Sequence, residues 1–146
     1  MRKFNFLIIG LLFVGLSGLT SCKKESKIER NLWNKGGEWN IDKYQENYGF
    51  GADPYSETRY NFGTIKFEKD GNGKITLKDE GETFSNLFTY KNTDNSLTLT
   101  YKEGQMHYEG DVDNFTLDWE KDKIELYSYK SDAYGYDEII MTLSKK

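Results

Sequence analysis

The chain has 146 residues, 30% of them charged and 16% aromatic, with a formal charge of −4, one cysteine, one histidine and one proline. A single thiol excludes an intramolecular disulfide, and a lone histidine without paired-histidine or H-E-x-x-H spacing gives no zinc site. The acidic balance argues against nucleic acid as a partner, because phosphate binding needs clustered cations.

The chain opens with Arg2 and Lys3, then an apolar run from Phe4 to Leu19 interrupted by Gly10, Gly15 and Gly18. Thr20 and Ser21 follow, and then Cys22. A basic start, an apolar stretch and small residues before a cut site are the layout of a secretory signal. The stretch is short for a permanent span, which needs about 20 apolar residues. Leu19-Thr20-Ser21-Cys22 resembles the lipobox of bacterial lipoproteins. The resemblance implies cleavage between Ser21 and Cys22, a diacylglyceryl group on the Cys22 sulfur and acylation of the new amine. One acyl chain holds a protein only marginally, whereas two or three at roughly 0.8 kcal/mol per buried methylene give lasting attachment.

The expected division is therefore 1–21 signal peptide, 22–31 lipidated cysteine and polar tether, and 32–146 a single folded domain. Acylation would also remove the thiol from catalysis and metal binding. Lys23-Lys24-Glu25-Ser26-Lys27-Ile28-Glu29-Arg30 is polar and reads as the tether. In lipoprotein sorting an aspartate after the cysteine favours inner-membrane retention. Lys23 in that place points to the outer membrane, with the periplasmic face and the cell surface both open.

From Gly37 onward apolar residues alternate with period two between turn clusters, the signature of antiparallel strands. Trp39 and Ile41 begin the first. Tyr60 and Phe62 share one face, Ile65 and Phe67 continue in the other phase, and Gly63 between them predicts a bulge or bend. Ile75 and Leu77 follow the turn Asp70-Gly71-Asn72-Gly73; Phe84, Phe88 and Tyr90 make the next strand; Leu97, Leu99 and Tyr101 the one after. Met106, Tyr108 and Val112 alternate, then Phe115, Leu117 and Trp119, then Ile124 and Leu126, and finally Ile139, Met141 and Leu143. No stretch has a convincing helical period, although Asn31 to Lys35 could form one turn. Eight or nine short, evenly spaced strands predict an all-β fold, a single antiparallel up-and-down barrel whose closure removes both edges.

Gly37-Glu38-Trp39 at the start of the first strand resembles the Gly-x-Trp that opens lipocalin barrels. With the lipobox, the strand count and the final Ile139 to Lys146 segment, the chain resembles the lipocalin-like lipoproteins of Bacteroidetes. The resemblance implies that Trp39 closes one end of the barrel, covered by Lys145 or Lys146. The Thr-Asp-Tyr motif of the larger lipocalins is absent, so the wider calycin-like group is the better match.

Several patterns invite a chemical reading. Glu68 to Asp79 overlays a calcium-binding EF-hand loop at several positions, but its flanks alternate with period two, and Asp-Gly and Asn-Gly pairs are what a tight hairpin requires. The segment is read as a hairpin, with no metal and no cofactor. His107 lacks a positioned nucleophile and reads as an ordinary strand residue. The plentiful carboxylates read as turn residues, so no enzyme is expected.

The aromatics carry the functional expectation. Tyr44, Tyr48, Phe50 and Tyr55 flank one loop, and Tyr127, Tyr129, Tyr134 and Tyr136 flank another. At a barrel mouth such rings could stack on a sugar, a lipid head or a flat ring. An eight-stranded barrel is either filled by side chains or holds one small ligand. The leading expectation is a small apolar or aromatic ligand lined by Tyr60, Phe62, Phe84, Phe88, Leu99, Tyr108 and Leu117. The alternative is a filled barrel that serves as a platform for an envelope protein.

Overall fold

The structure is a computed structural model that describes residues 27–50, 53–120 and 122–146. Cys22, the apolar leader and most of the tether lie outside the described residues. A short helix α1 (Lys27–Trp33) and a 3-10 turn (Asn34–Gly36) precede eight strands. These are β1 (Glu38–Phe50), β2 (Asp53–Phe67), β3 (Asn72–Asp79), β4 (Glu82–Asn92), β5 (Ser96–Tyr101), β6 (Val112–Glu120), β7 (Lys123–Ser131) and β8 (Gly135–Lys145). Each strand pairs antiparallel with the next, and β8 returns to β1 to close the barrel. Among the described residues no helix is long and apolar enough to cross a membrane.

The alternation that marked the strands in sequence is the alternation that fills the interior. Leu97, Leu99 and Tyr101 on β5 and Ile124, Leu126 and Ser128 on β7 are buried, while their neighbours face out or lie at the margin. Turn chemistry sets the connections. Glu80 and Gly81, both with positive φ, form the two-residue loop between β3 and β4 that suits the strand twist. Gly71 also takes positive φ, and the Asp70 carboxylate accepts the Asn72 backbone N–H at 3.0 Å. Glu68 to Asp79 is thus the β2–β3 turn followed by strand β3.

Two expectations need correction. Met106 and Tyr108 belong to the connection between β5 and β6, and only Val112 begins a strand. There the Asn86 side chain holds the backbone by donating to the Lys102 and His107 carbonyls and accepting from the Met106 N–H. A local side-chain partner has replaced the ladder that alternation suggested. A helix, Lys27–Trp33, also takes the place of the single turn expected over Asn31 to Lys35, and its Leu32 is fully buried.

The helix end, the first strand and the last strand seal one end of the barrel. Gly37 takes φ +66, and a Cβ there would collide with the Phe67 carbonyl oxygen, so the chain can turn into β1 only with glycine. Trp39 then enters the barrel, 1% exposed, and its indole N–H donates to the Leu32 carbonyl at 2.9 Å. Trp119 meets the Trp39 ring edge-on at 5.6 Å. The Lys145 ammonium lies 4.3 Å from the Trp39 ring centroid and donates to the Asn31 carbonyl at 3.1 Å. Lys145 therefore satisfies a helix-end carbonyl and covers the indole face at once.

Above this plug the strands carry an irregularity. β1 gains one residue on β8 at Asp42, and Asn61 and Phe62 of β2 lie opposite the same point. Asn61 is left-handed, at φ 51. Below the bulge the inward residues of β1 are Trp39 and Ile41; above it Tyr44 and then Glu46 point in. On β2 the same irregularity turns Phe62 inward, against the Tyr44 ring at 5.0 Å, and leaves Tyr60 outside, 71% exposed.

Removing the plug ring tests this arrangement. Trp39→Ala is expected to lower unfolding stability by roughly 3–5 kcal/mol, read from urea denaturation. Lys145→Met, which keeps the alkyl stem and loses the charge, should lower it by about 1 kcal/mol. Equal small losses in both variants would contradict the described seal.

Candidate functional site at the barrel mouth

Beyond the plug the interior changes character along its length. The lower part is filled by apolar side chains in mutual contact. Phe67 meets Phe88 at 5.7 Å and Tyr90 at 5.1 Å, and Phe88 meets Tyr101 at 6.4 Å. Ile41, Ile65, Leu97, Leu126 and Leu143 complete this layer, all fully buried. The upper part, towards the β1–β2, β3–β4, β5–β6 and β7–β8 connections, is charged.

Arg59 and Lys130 are the cations of this upper layer. The Arg59 guanidinium pairs with Glu57 at 2.7 Å and 2.8 Å and with Asp79 at 3.3 Å, and sits 4.9 Å from the Phe62 ring. Lys130 donates to Asp113 at 2.7 Å and to the Val112 carbonyl at 3.2 Å. Asp113 in turn lies against the Tyr101 hydroxyl; burial and this carboxylate together push the phenol well above its ordinary value. Tyr44 is raised as well, by burial first and then by Glu46, Asp137 and Asp113.

Among the described residues two carboxylates, Glu46 and Asp137, have no cation at ion-pair distance. Burial raises the pKa of Glu46, and Asp137 nearby adds to it. Burial raises Asp137 too, with Lys130 pulling it down and Asp113 pushing it up. Tyr48 lies directly opposite Asp137, and Glu46 opposite Ile139, so the two carboxylates are diagonal neighbours on the inner face. By contrast, hydrogen bonds from Arg59 and Tyr55 hold Glu57 below the usual carboxylate range.

A cleft of about 530 Å³ opens over these groups, within the size range of small-ligand pockets. Glu46, Tyr48, Phe50, Lys130, Asp137 and Tyr136 are among its walls. Tyr48 packs on Tyr55 at 4.9 Å, and Phe50 at the lip is 70% exposed. On the far side, the β5–β6 connection folds back over the layer. His107 stacks face to face on Tyr101, 3.7 Å between centroids, and burial lowers its pKa despite Asp113 and Asp111. Among the described residues no group of three His, Cys, Asp or Glu side chains is placed to hold a metal.

The residues expected to line a pocket divide. Phe62, Phe88 and Leu99 are buried in the packed layer, and Phe84 and Leu117 are partly buried. Tyr60 faces outward because the bulge changes the strand phase, and Tyr108, 83% exposed, sits in the connection after β5. None of the seven borders the cleft. The mouth aromatics Tyr48, Phe50, Tyr134 and Tyr136 do. Of the charged lining, Glu46, Lys130 and Asp137 have no sequence signal beyond alternation with outward neighbours, and Asp132 joins them from the β7–β8 turn.

The two unpaired carboxyls make a pH test. Each is easier to protonate folded than unfolded. Its favourable contribution is therefore full below the ordinary carboxylate value and is lost as pH rises through the raised one. Glu46→Gln with Asp137→Asn should therefore gain stability over the parent as pH is raised from acid to neutral. Carboxyl carbon NMR should place Glu46 and Asp137 above, and Glu57 below, ordinary midpoints. Ordinary midpoints for all three would contradict the described layer.

No family model matches the chain, and no curated protein matches it. Among solved structures it is similar to a lipocalin-like protein from Bacteroides uniformis, with 15% identity and a TM-score of 0.47, covering 75% of this chain and 96% of that one. It is also similar to an uncharacterized protein from Bacteroides eggerthii, with 11% identity and a TM-score of 0.44, covering 75% of this chain and 97% of that one. By its own strand pairing the domain is a closed eight-stranded antiparallel barrel in up-and-down order.

Proposed function

We propose that the protein is a lipid-anchored module of the outer membrane that captures a small ligand in the mouth of its barrel, without catalysis. The observation that carries the reading is the division of the interior. The apolar half is filled by its own rings, whereas the open end holds a cleft of about 530 Å³ walled by Tyr48 and Phe50 and floored by charged groups. The ligand expected in the apolar interior is thus better accommodated at the rim, where flat rings can stack and polar groups fix orientation. His107 is stacked on Tyr101 and does not border the cleft, which favours binding over acid–base chemistry. The anchor rests on Leu19-Thr20-Ser21-Cys22.

A second reading has its own support. On the outer face Tyr129 and Tyr136 stack at 6.2 Å, and the Tyr127 hydroxyl donates to Glu138, which also accepts from Asn47. Such an ordered aromatic row suits contact with an envelope protein.

Anchoring and capture are separable. Cys22→Ala should release the protein from membranes after a high-salt wash; continued attachment would remove the lipoprotein claim. Indole titrated into the purified protein should shift NMR signals of Tyr48, Phe50 and Asp137. Shifts confined to Leu99 and Leu126 would place the ligand in the core, and shifts confined to Tyr127 and Tyr129 would favour the outer face.

A further inference from the structure

We infer that the ligand of the mouth is an organic cation, an ammonium carried on a flat aromatic ring, with the charge held by Glu46 and Asp137 and the ring laid against Tyr48 and Phe50. The inference rests on the mouth being the binding site and names the class of ligand it takes.

The cations that face the mouth are already engaged. Arg59 is held by Glu57 and Asp79, and Lys130 by Asp113 and the Val112 carbonyl. Glu46 and Asp137 are left without a cation at ion-pair distance among the described residues. The second observation is sharper. Asp137 Oδ1 is buried and has no hydrogen-bond partner among the described residues, although Asp137 borders the cleft. A buried carboxylate oxygen asks for a donor, and an ammonium supplies donors and charge together.

The walls select the rest of the molecule. Tyr48 stands directly opposite Asp137, and Phe50 holds the lip. Aromatic faces attract cations as well as flat rings, so one end of the ligand meets carboxylates and the other meets π surface. A bare divalent ion fits less well, since among the described residues no three ligating side chains gather here. An anion would meet the Glu46 and Asp137 carboxylates, while Lys130 in the same lining is already held by Asp113.

The groups around the pair set its pH response. Arg59 and Glu57 of β2 face Glu46, with Tyr44 beside it on β1; Lys130 of β7 and Asp113 of β6 face Asp137. Their balance leaves both carboxyls raised, so a bound ammonium, which requires them ionised, must displace protons as pH falls towards their range.

The test uses three isosteric probes and the full purified protein near neutral pH, followed by calorimetry. The probes are tryptamine, its neutral hydroxyl analogue tryptophol, and the anion indole-3-acetate. Tryptamine should bind about tenfold or more tighter than tryptophol, and indole-3-acetate weakest. Glu46→Gln with Asp137→Asn should erase that preference, bringing tryptamine binding down to the level of tryptophol in the same variant. Should the double variant not fold, the wild-type protein still decides. At mildly acidic pH tryptamine binding should release protons, read from the dependence of heat on buffer, and tryptophol binding should not. Equal binding of the three probes, a preference that survives the double variant, or tryptamine binding without proton release would overturn the cation inference while mouth binding stands. Failure of all three probes to bind would overturn both.

Discussion

One extra residue in the first strand decides what the inside of this barrel is made of. Up to Ile41 the odd positions of β1 face inward and deliver Trp39 and Ile41 to the core. The surplus at Asp42 switches the phase, and its carboxylate accepts the Ser144 hydroxyl at 2.9 Å, tying the irregularity to the last strand. Beyond it Tyr44 and Glu46 turn in where Lys43 and Gln45 would otherwise stand. A one-residue slip in a strand exchanges its two faces. Here the exchange is confined to half a strand, so one strand contributes an apolar base and a charged rim.

The sealed end and the charged end depend on each other. A barrel of this strand number has room for side chains or for one small guest. Filling the base with Trp39, Phe67, Phe88 and their neighbours gives a domain without disulfides enough core to stand alone. The rim is then free to hold groups that do not favour folding. Glu46 and Asp137 are raised because their charged forms lose water. Retaining unpaired charges inside a barrel is a burden on stability, the usual relation between a binding site and its scaffold.

Sequence alone carried most of the architecture and little of the rim. Strong alternation in Leu97 to Tyr101 and Ile124 to Leu126 identifies strands because both residue type and period agree there. Gly37-Glu38-Trp39 marks the first strand because only glycine fits against Phe67. Gly63 flags trouble in β2, since a Cβ there would collide with the Thr76 carbonyl oxygen, but nothing in the residues says which way the phase turns. Tyr60 therefore reads as a lining residue and stands outside. Glu46, Lys130 and Asp137 look like the solvent face of a strand, because charge is the usual outward signal and only the closed register reverses it. Asn86 is the same case: a polar residue in strand rhythm whose burial follows from the loop it holds, distant in sequence.

The phase switch at Asp42 is the claim on which the rim and its chemistry rest, and proton–proton nuclear Overhauser contacts read it directly. Tyr44 lies opposite Met141 and against Phe62. The account predicts strong contacts from the Tyr44 ring to the Met141 methyl and to the Phe62 ring. Contacts from Lys43 to those two groups, with Tyr44 facing solvent, would contradict it.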